Sequence, residues 1–182
     1  MSEKALQQNI YQLLEAIDTC LEKRFITPAL VLVYSGIDTL AWLDRRHAEP
    51  DVTGSDFVTW VDTYMLPDNR IQCTSADLYG ARCGLVHTFS PLSSRSRSGA
   101  AKEIYYSWGT ARMENLQLNI DLEFGKEQKV AIHIDSLVEA LRDAIRAFYE
   151  ELGGNPEWQA KVFDRAGKCF IHVPTEYLPG AA

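Results

Sequence analysis

The sequence predicts an α+β domain that is mainly helical, with five or six helices in a bundle and a small three-stranded antiparallel sheet inserted before the penultimate helix. Apolar residues recur at steps of three and four in the N-terminal third of the chain, which is typical of amphipathic helices. Between residues 103 and 134, apolar and polar residues instead alternate, as in half-buried strands. The composition of the 182 residues, 46% hydrophobic and 24% charged, is that of a globular domain. We therefore expect a single domain over residues 1–182.

Three helices are predicted before residue 68. The first has one apolar stripe, formed by Leu6, Ile10, Leu13, Leu14, Ile17 and Leu21. Thr27 and Pro28 are typical of an N-cap and a first helical turn, and the helix that they begin is apolar nearly all round. This second helix should therefore lie at the centre of the bundle. A third helix carries Phe57 and ends before Pro67, because proline cannot continue a helix.

The fourth helix is predicted to begin after Ser75, a residue type that favours the N-cap position, and to end at about Thr88. Ser90 precedes a proline, and the residue before a proline avoids the helical conformation. Residues 89–102 are rich in serine and arginine and are predicted to form a loop. The fourth helix and this loop carry most of the candidate functional residues.

The predicted sheet depends mainly on residues 116–124. Apolar residues occupy every second position there: Leu116, Leu118, Ile120, Leu122 and Phe124. Residues 125–128 would turn the chain into a second strand at 129–134, and residues 103–108 would supply a third. The sequence therefore predicts an antiparallel β insertion at about 103–134.

Two further helices are predicted after the insertion. Ser136 and Glu139 have the spacing of a capping box, which would begin the penultimate helix. Its inward positions are Val138, Leu141, Ile145, Phe148 and Leu152. Asn155 and Pro156 begin a short last helix, so that a C-terminal helix and tail occupy residues 155–182.

Charge and cysteine content limit the possible functions. The net charge of −7 disfavours a surface that coats long nucleic acids, although a local basic site remains compatible with it. The four cysteines are too scattered for a disulfide framework, and no secretion signal begins the chain, so we expect a cytoplasmic protein. The longest apolar run, 28–43, contains Asp38 and is short for a membrane span of about 20 residues. We therefore expect no membrane association.

Arg82 and His87, five residues apart in the fourth helix, are the main candidates for chemistry. Arginine can bind a phosphate through its planar fork of donors, and histidine can transfer a proton near neutral pH. RNA supplies its own nucleophile, the 2′-hydroxyl, so that such a pair could promote cleavage without a metal ion or another cofactor. The spacing is weak evidence by itself, because an arginine near a helix end often pairs with an acid and a histidine there often only balances the helix dipole.

The positions of Arg82 and His87 around the fourth helix, and a possible partner for Arg82, add to the case for a site. At 100° per residue, Arg82 and His87 lie about 140° apart, with Tyr79 and Cys83 between them, so the two could border one cleft. Asp38 lies within the apolar second helix and needs a partner if it is buried. Arg82 is one candidate partner, and a backbone amide or another arginine is the alternative.

The segments 35–40 and 78–87, which read SGIDTL and LYGARCGLVH, resemble the HEPN superfamily of helical, RNA-linked domains. That family is marked by an arginine followed four to six residues later by a histidine, and its active members are metal-independent endoribonucleases of toxin–antitoxin and defence systems. The resemblance implies that Arg82 and His87 are the catalytic pair, with Asp38, Tyr79 and Cys83 in support. It also implies a homodimer whose cleft contains both pairs, RNA as substrate and, in a toxin, an antitoxin protein as partner.

Two features of the sequence add to these expectations. Residues 68–102 contain five basic and two acidic side chains, a local excess of positive charge in an acidic protein. Arg95 and Arg97 are therefore candidates for RNA binding, and a plain soluble connector is the alternative interpretation. Gly80 and Gly84 would allow close approach of a second helix, which led us to expect the 75–88 helices near a dimer axis.

Two other functions remain open. Many active HEPN members have a polar residue directly after the motif arginine, where this chain has Cys83, so a non-catalytic dimeric module that binds RNA or a partner protein is the alternative function. A zinc site is the other possibility, since Cys83 and His87 could join Cys169 and His172. Neither spacing matches a zinc finger or ribbon, and we therefore expect no metal.

Overall fold

The computed structural model describes residues 2–46, 51–126 and 129–169. Within these ranges the chain forms eight α-helices, two β-strands and one π-helical segment. In chain order the elements are α1 (Ser2–Glu22), α2 (Ile26–Asp44), α3 (Gly54–Trp60), a π-helical segment (Val61–Met65), α4 (Ser75–Thr88), α5 (Ser94–Arg97), β1 (Glu103–Ser107), α6 (Met113–Phe124), β2 (Lys129–His133), α7 (Ile134–Gly153) and α8 (Pro156–Ala166). The mainly helical α+β class is confirmed. The predicted last helix corresponds to α8, and the tail beyond residue 169 lies outside the described residues.

Helix α2 is the centre of the bundle, as its apolar sequence predicts. It packs against α1, α3, α4, α7 and α8. Its buried residues are Ala29, Leu30, Val33, Tyr34, Gly36, Ile37, Leu40, Ala41 and Leu43. By length and hydropathy alone α2 could cross a membrane, but half of it is buried inside the bundle, which is consistent with the core helix of a soluble protein. It begins at Ile26, slightly before the predicted start.

Helix α4 begins with a capping box formed by Thr74 and Asp77. The hydroxyl of Thr74 accepts a hydrogen bond from the Asp77 backbone N–H at 3.1 Å, and the Asp77 carboxylate accepts one from the Thr74 backbone N–H at 3.0 Å. The N-cap is therefore Thr74 instead of Ser75. The second carboxylate oxygen of the buried Asp77 accepts from the backbone N–H of Lys102 at 2.5 Å. One side chain thus joins the start of α4 to the start of β1.

The predicted three-stranded antiparallel sheet is wrong. Strands β1 and β2 form a two-stranded parallel sheet, with Glu103 paired to Lys129 and Ser107 paired to His133. Two parallel strands need a crossover connection, usually a helix, and α6 provides it. Residues 116–124, which alternate like a strand, lie in this helix. The two outer predicted strands are present, but the middle one is helical.

The alternating apolar residues of α6 consequently point in several directions. Ile120 is buried, whereas Leu118 and Leu122 are 59% and 76% exposed. A polar residue of the same segment makes the sheet contact: Gln117 accepts a hydrogen bond from the Ala131 backbone N–H at 2.7 Å and donates one to the Lys129 carbonyl at 3.2 Å. Gln117 therefore completes the hydrogen bonding of one edge of β2.

Helix α7 begins two residues before the predicted capping box. The Nδ1 atom of His133 accepts a hydrogen bond from the Asp135 backbone N–H, so that His133 is the N-cap and the predicted role of Ser136 is wrong. The predicted inward face is confirmed, since Val138, Leu141, Ile145, Phe148 and Leu152 are all buried. Asn155 caps α8 as predicted, accepting from the Trp158 backbone N–H at 3.1 Å.

Candidate functional site

Arg82 and Asp38 join the fourth helix to the central one. The Nε atom of Arg82 donates a hydrogen bond to Oδ2 of Asp38 at 2.8 Å, and Nη2 forms an ion pair with the same oxygen at 2.8 Å. Each side chain is 24% exposed, so the ion pair is largely shielded from solvent. Arg82 is thus the partner that Asp38 requires, and the bond fixes the guanidinium against α2.

The ion pair also keeps Arg82 charged. Burial by itself lowers the pKa of Arg82, but the hydrogen bond and negative charge of Asp38, together with the neighbouring Cys83, outweigh it and raise the pKa. The side chain of Arg82 is therefore a permanent cation. Two of its three nitrogen atoms contact Asp38, and a side-chain hydrogen bond also links Arg82 to Cys83.

His87 lies in the last turn of α4 and is exposed. Its position five residues after Arg82 places it about 7.5 Å further along the helix axis. Among residues 2–46, 51–126 and 129–169, no hydrogen bond or ion pair involves its imidazole. The ring is therefore accessible to a ligand, and no group in the described part of the chain orients it.

Tyr79 and Cys83 lie one turn apart on α4. The Tyr79 ring packs against Phe57 of α3, with ring centroids 5.3 Å apart, and Gly54 provides the space for its hydroxyl. Burial raises the pKa of Tyr79, a hydrogen bond with Cys83 raises it further, and Arg82 lowers it. Tyr79 is consequently a neutral hydroxyl at pH 7 that fixes α4 against α3. Tyr79 and Cys83, the two predicted supporting residues of α4, thus lie near Arg82.

The two glycines of α4 face the chain's own loop. A Cβ atom at Gly80 would lie 2.8 Å from the Cβ of Ala101, and one at Gly84 would lie 2.4 Å from the carbonyl oxygen of Ser90. Residues 90–101 therefore lie directly on α4, and this loop occupies the surface that we expected to receive a second helix. The two glycines therefore do allow another segment to approach α4 closely, but this segment is the loop of the same chain and not the helix of a second protomer.

We expect Gly84→Ala to destabilise the fold clearly, because the new methyl group would meet backbone atoms that cannot rotate away. Overpacking of this kind costs about 1–3 kcal/mol. Urea unfolding followed by circular dichroism would measure the loss. The matched control is Gly153→Ala, at a helical position with no heavy atom within 4 Å, which should leave stability unchanged or raise it. Equal stability of Gly84→Ala and the wild type would contradict the close packing of the loop on α4.

The loop brings one of the two predicted RNA-binding arginines to the motif. The guanidinium of Arg95 lies over the Tyr79 ring, 5.1 Å from its centroid, and its Nε atom is buried without a hydrogen bond in the described structure. Arg97 lies exposed on the short helix α5, and no described contact links it to Arg82 or His87. The two arginines thus share the helix α5, but of the two only Arg95 has a described contact with Tyr79 of α4.

Only part of the local positive charge is uncompensated. Arg70 pairs with Asp143, and Arg82 pairs with Asp38. Of the five basic residues in 68–102, the remaining three, Arg95, Arg97 and Lys102, have no ion pair within the described residues. The loop after α4 is therefore where this segment still offers positive charge to an anion.

Asp77 is a residue that sequence reasoning missed. The pattern Thr74-x-x-Asp77 has the capping-box form and could have located it. Its buried carboxylate supports both ends of the segment that carries the site, because it bonds to the backbone at the start of α4 and to the backbone at the end of the loop. Asp77 thus holds the loop and the helix in one arrangement.

The cysteine and histidine residues of the alternative zinc site are only partly described. Among the described residues, no group of three or more His, Cys, Asp or Glu side chains could hold a metal ion. Cys169 lines a mostly apolar groove of about 840 Å³ beside α1 and α2, together with Asp38, and His172 lies outside the described residues.

The sequence matches no protein-family model, no curated protein and no solved structure. The resemblance to the HEPN superfamily therefore depends on the residues of this chain, above all on Arg82 and His87 in α4 and Asp38 in α2.

Proposed function

We propose that the protein is a metal-independent endoribonuclease of HEPN type with a role in toxin or defence biology. The main observation in support of this proposal is the position of Arg82. A hydrogen bond from Nε and an ion pair through Nη2, both to Oδ2 of Asp38, hold its guanidinium in one orientation, on the helix whose last turn presents the exposed His87. A preorganised cation and an accessible proton carrier on one helix are the two groups that RNA cleavage by its own 2′-hydroxyl requires.

The proposed reaction divides the work between these side chains. Arg82 binds the scissile phosphate and stabilises the negative charge that develops on its oxygens. The 2′-oxygen attacks phosphorus as His87 removes its proton. The bond from phosphorus to the 5′-oxygen then breaks as the His87 imidazolium formed in the first step donates this proton to the leaving oxygen. The products are a 2′,3′-cyclic phosphate and a 5′-hydroxyl. Arg95, next to Tyr79, adds positive charge for the flanking phosphates.

Chelation of metal ions is expected to leave this reaction unchanged, because arginine, histidine and the 2′-hydroxyl supply every group that it uses. The test compares cleavage of a fluorescent RNA by the purified protein in the presence and absence of EDTA. Loss of activity on chelation, or one equivalent of zinc by elemental analysis, would instead support the site that includes Cys83 and His87.

The proposed active form is a cytoplasmic homodimer with two-fold symmetry, in which two α4 helices face each other across the RNA cleft. Because the loop covers Gly80 and Gly84, the contact would involve the part of α4 that the loop leaves exposed, which includes His87. Light scattering at micromolar concentration should give twice the mass of the 20.5 kDa chain. A monomer at that concentration would exclude this arrangement.

The alternative function, a non-catalytic module that binds RNA or a partner protein such as an antitoxin, has one observation in its favour. No described residue orients the His87 ring, whereas a general base is usually held by a further group. RNA binding without cleavage by the wild-type protein would support this module. Cleavage that depends on His87 would exclude it.

A further inference from the structure

Phe89 is held in a conformation that is unusual for an aromatic residue. It directly follows α4 and has φ 51° and ψ 31°, in the left-handed region. Its backbone N–H donates the last i→i−4 hydrogen bond of the helix, to the Leu85 carbonyl at 3.0 Å, and its left-handed backbone then ends the helix. Glycine or asparagine usually takes this position, because a side chain there is strained.

The strained backbone of Phe89 does not bury its ring. The residue is 72% exposed, and no described aromatic ring or cation stacks on it. The turn that follows it is held tightly, since the Ser90 backbone N–H donates to the Gly84 carbonyl and Gly84 lies against the backbone of Ser90 and Leu92. The backbone around Phe89 is therefore fixed while its ring remains available.

Phe89 belongs to the same segment of the chain as the cationic and aromatic residues of the candidate site. His87 precedes it by two residues, and the loop that follows returns Arg95 to the Tyr79 ring of α4. Proteins that bind single strands combine cationic groups for the phosphates with exposed aromatic rings on which bases stack. Paired bases are already stacked on each other, so that such a ring selects for unpaired ones.

We propose that Phe89 is a stacking platform for an unpaired base next to the scissile phosphate, and that the substrate is therefore single-stranded RNA. The proposal rests on the ribonuclease function proposed above and specifies its substrate class. The left-handed turn positions the ring at the end of the helix that carries Arg82 and His87. Phe89 is thus a binding residue and takes no part in proton transfer.

Three variants test this proposal. Phe89→Gly removes the ring and suits the left-handed backbone, so it should fold at least as stably as the wild type. Phe89→Trp keeps an aromatic surface. Phe25→Ala is the matched control, because Phe25 is 55% exposed at the start of α2, with an ordinary negative φ. Thermal unfolding would verify that all three variants fold.

The probe is a short single-stranded RNA that carries 2′-O-methyl groups, which prevent cleavage by the proposed mechanism, and one 2-aminopurine, whose fluorescence reports stacking. We expect Phe89→Gly to weaken binding about ten-fold, as loss of one stacked base predicts, and to abolish the 2-aminopurine response. Phe89→Trp should keep both properties, and Phe25→Ala should behave as the wild type. A duplex of the same sequence should bind the wild type and Phe89→Gly equally.

The outcomes separate this inference from the proposed function. If the wild type binds and cleaves single-stranded RNA and Phe89→Gly matches it in affinity and fluorescence, stacking on Phe89 is overturned while the ribonuclease function stands. Equal weakening of duplex binding by Phe89→Gly would also overturn it. If the wild type neither binds nor cleaves RNA, both proposals fail.

Discussion

Replacing His87 with alanine is expected to lower RNA cleavage by about 10²- to 10⁴-fold, the usual contribution of a positioned general acid or base. RNA binding should survive, because Arg82 and Arg95 provide the phosphate contacts in the proposed complex. His87 is exposed and makes no described hydrogen bond, so its loss should not affect folding. Single-turnover cleavage would measure the rate, and fluorescence anisotropy with 2′-O-methylated RNA would measure binding.

Thr88→Ala is the control for this variant, since Thr88 is the exposed neighbour of His87 in the same helical turn. It should cleave RNA at the wild-type rate. The wild-type products should carry 2′,3′-cyclic phosphate and 5′-hydroxyl ends, and DNA should not be cut. Full activity of His87→Ala, or equal cleavage of 2′-O-methylated RNA, would show that the proposed mechanism is wrong.

Arg82→Lys is expected to lower the cleavage rate by on the order of 10²-fold, although the charge is kept, because one preorganised donor is worth about that much in such sites. Arg82 holds Asp38 through Nε and Nη2, and in the proposed complex the same planar guanidinium contacts the phosphate. Lysine has a single nitrogen atom and cannot reproduce this planar fork. RNA affinity should fall together with the cleavage rate. This loss of affinity distinguishes Arg82→Lys from His87→Ala, which should still bind RNA.

Arg146→Lys provides a matched control. Arg146 also pairs with an aspartate, Asp143, but on the surface of α7, and its side chain is 64% exposed. Exposed ion pairs contribute little, so this variant should retain wild-type activity and stability. Wild-type cleavage by Arg82→Lys would indicate that Arg82 only stabilises the packing of α4 on α2.

The helices whose apolar residues form one continuous stripe could be predicted from the sequence. Phe148 and Leu152 of α7 are buried as their spacing indicates, and α2 is central because it is apolar nearly all round. A single apolar stripe can be buried in only one orientation of its helix, and a helix that is apolar nearly all round is buried on most sides. In both cases the local pattern and the tertiary structure agree. The position of Asp38 in a core helix indicated that its carboxylate needs a partner, with Arg82 as one candidate, and the structure shows that Arg82 is that partner.

Helix α6 shows where this reasoning fails. Alternation of apolar and polar residues indicates a strand only if a partner strand pairs with its backbone and another layer of the protein covers its apolar face. Here β1 and β2 pair directly with each other in parallel, and residues 113–124 serve as the crossover. The connection between the strands therefore determined the conformation of this segment, at the expense of leaving Leu122 exposed.

Periodicity and the spacing of Arg82 and His87 are local properties, so the helical bundle, its central helix and the residue types of the candidate site could be predicted from the sequence. The surroundings of these residues depend on the folded chain. Gly80 and Gly84 receive the chain's own loop, Arg95 reaches Tyr79 while Arg97 does not, and Phe89 occupies a left-handed turn. These features depend on contacts between segments distant in the sequence or on the backbone of one turn, and no local pattern of residues encodes them.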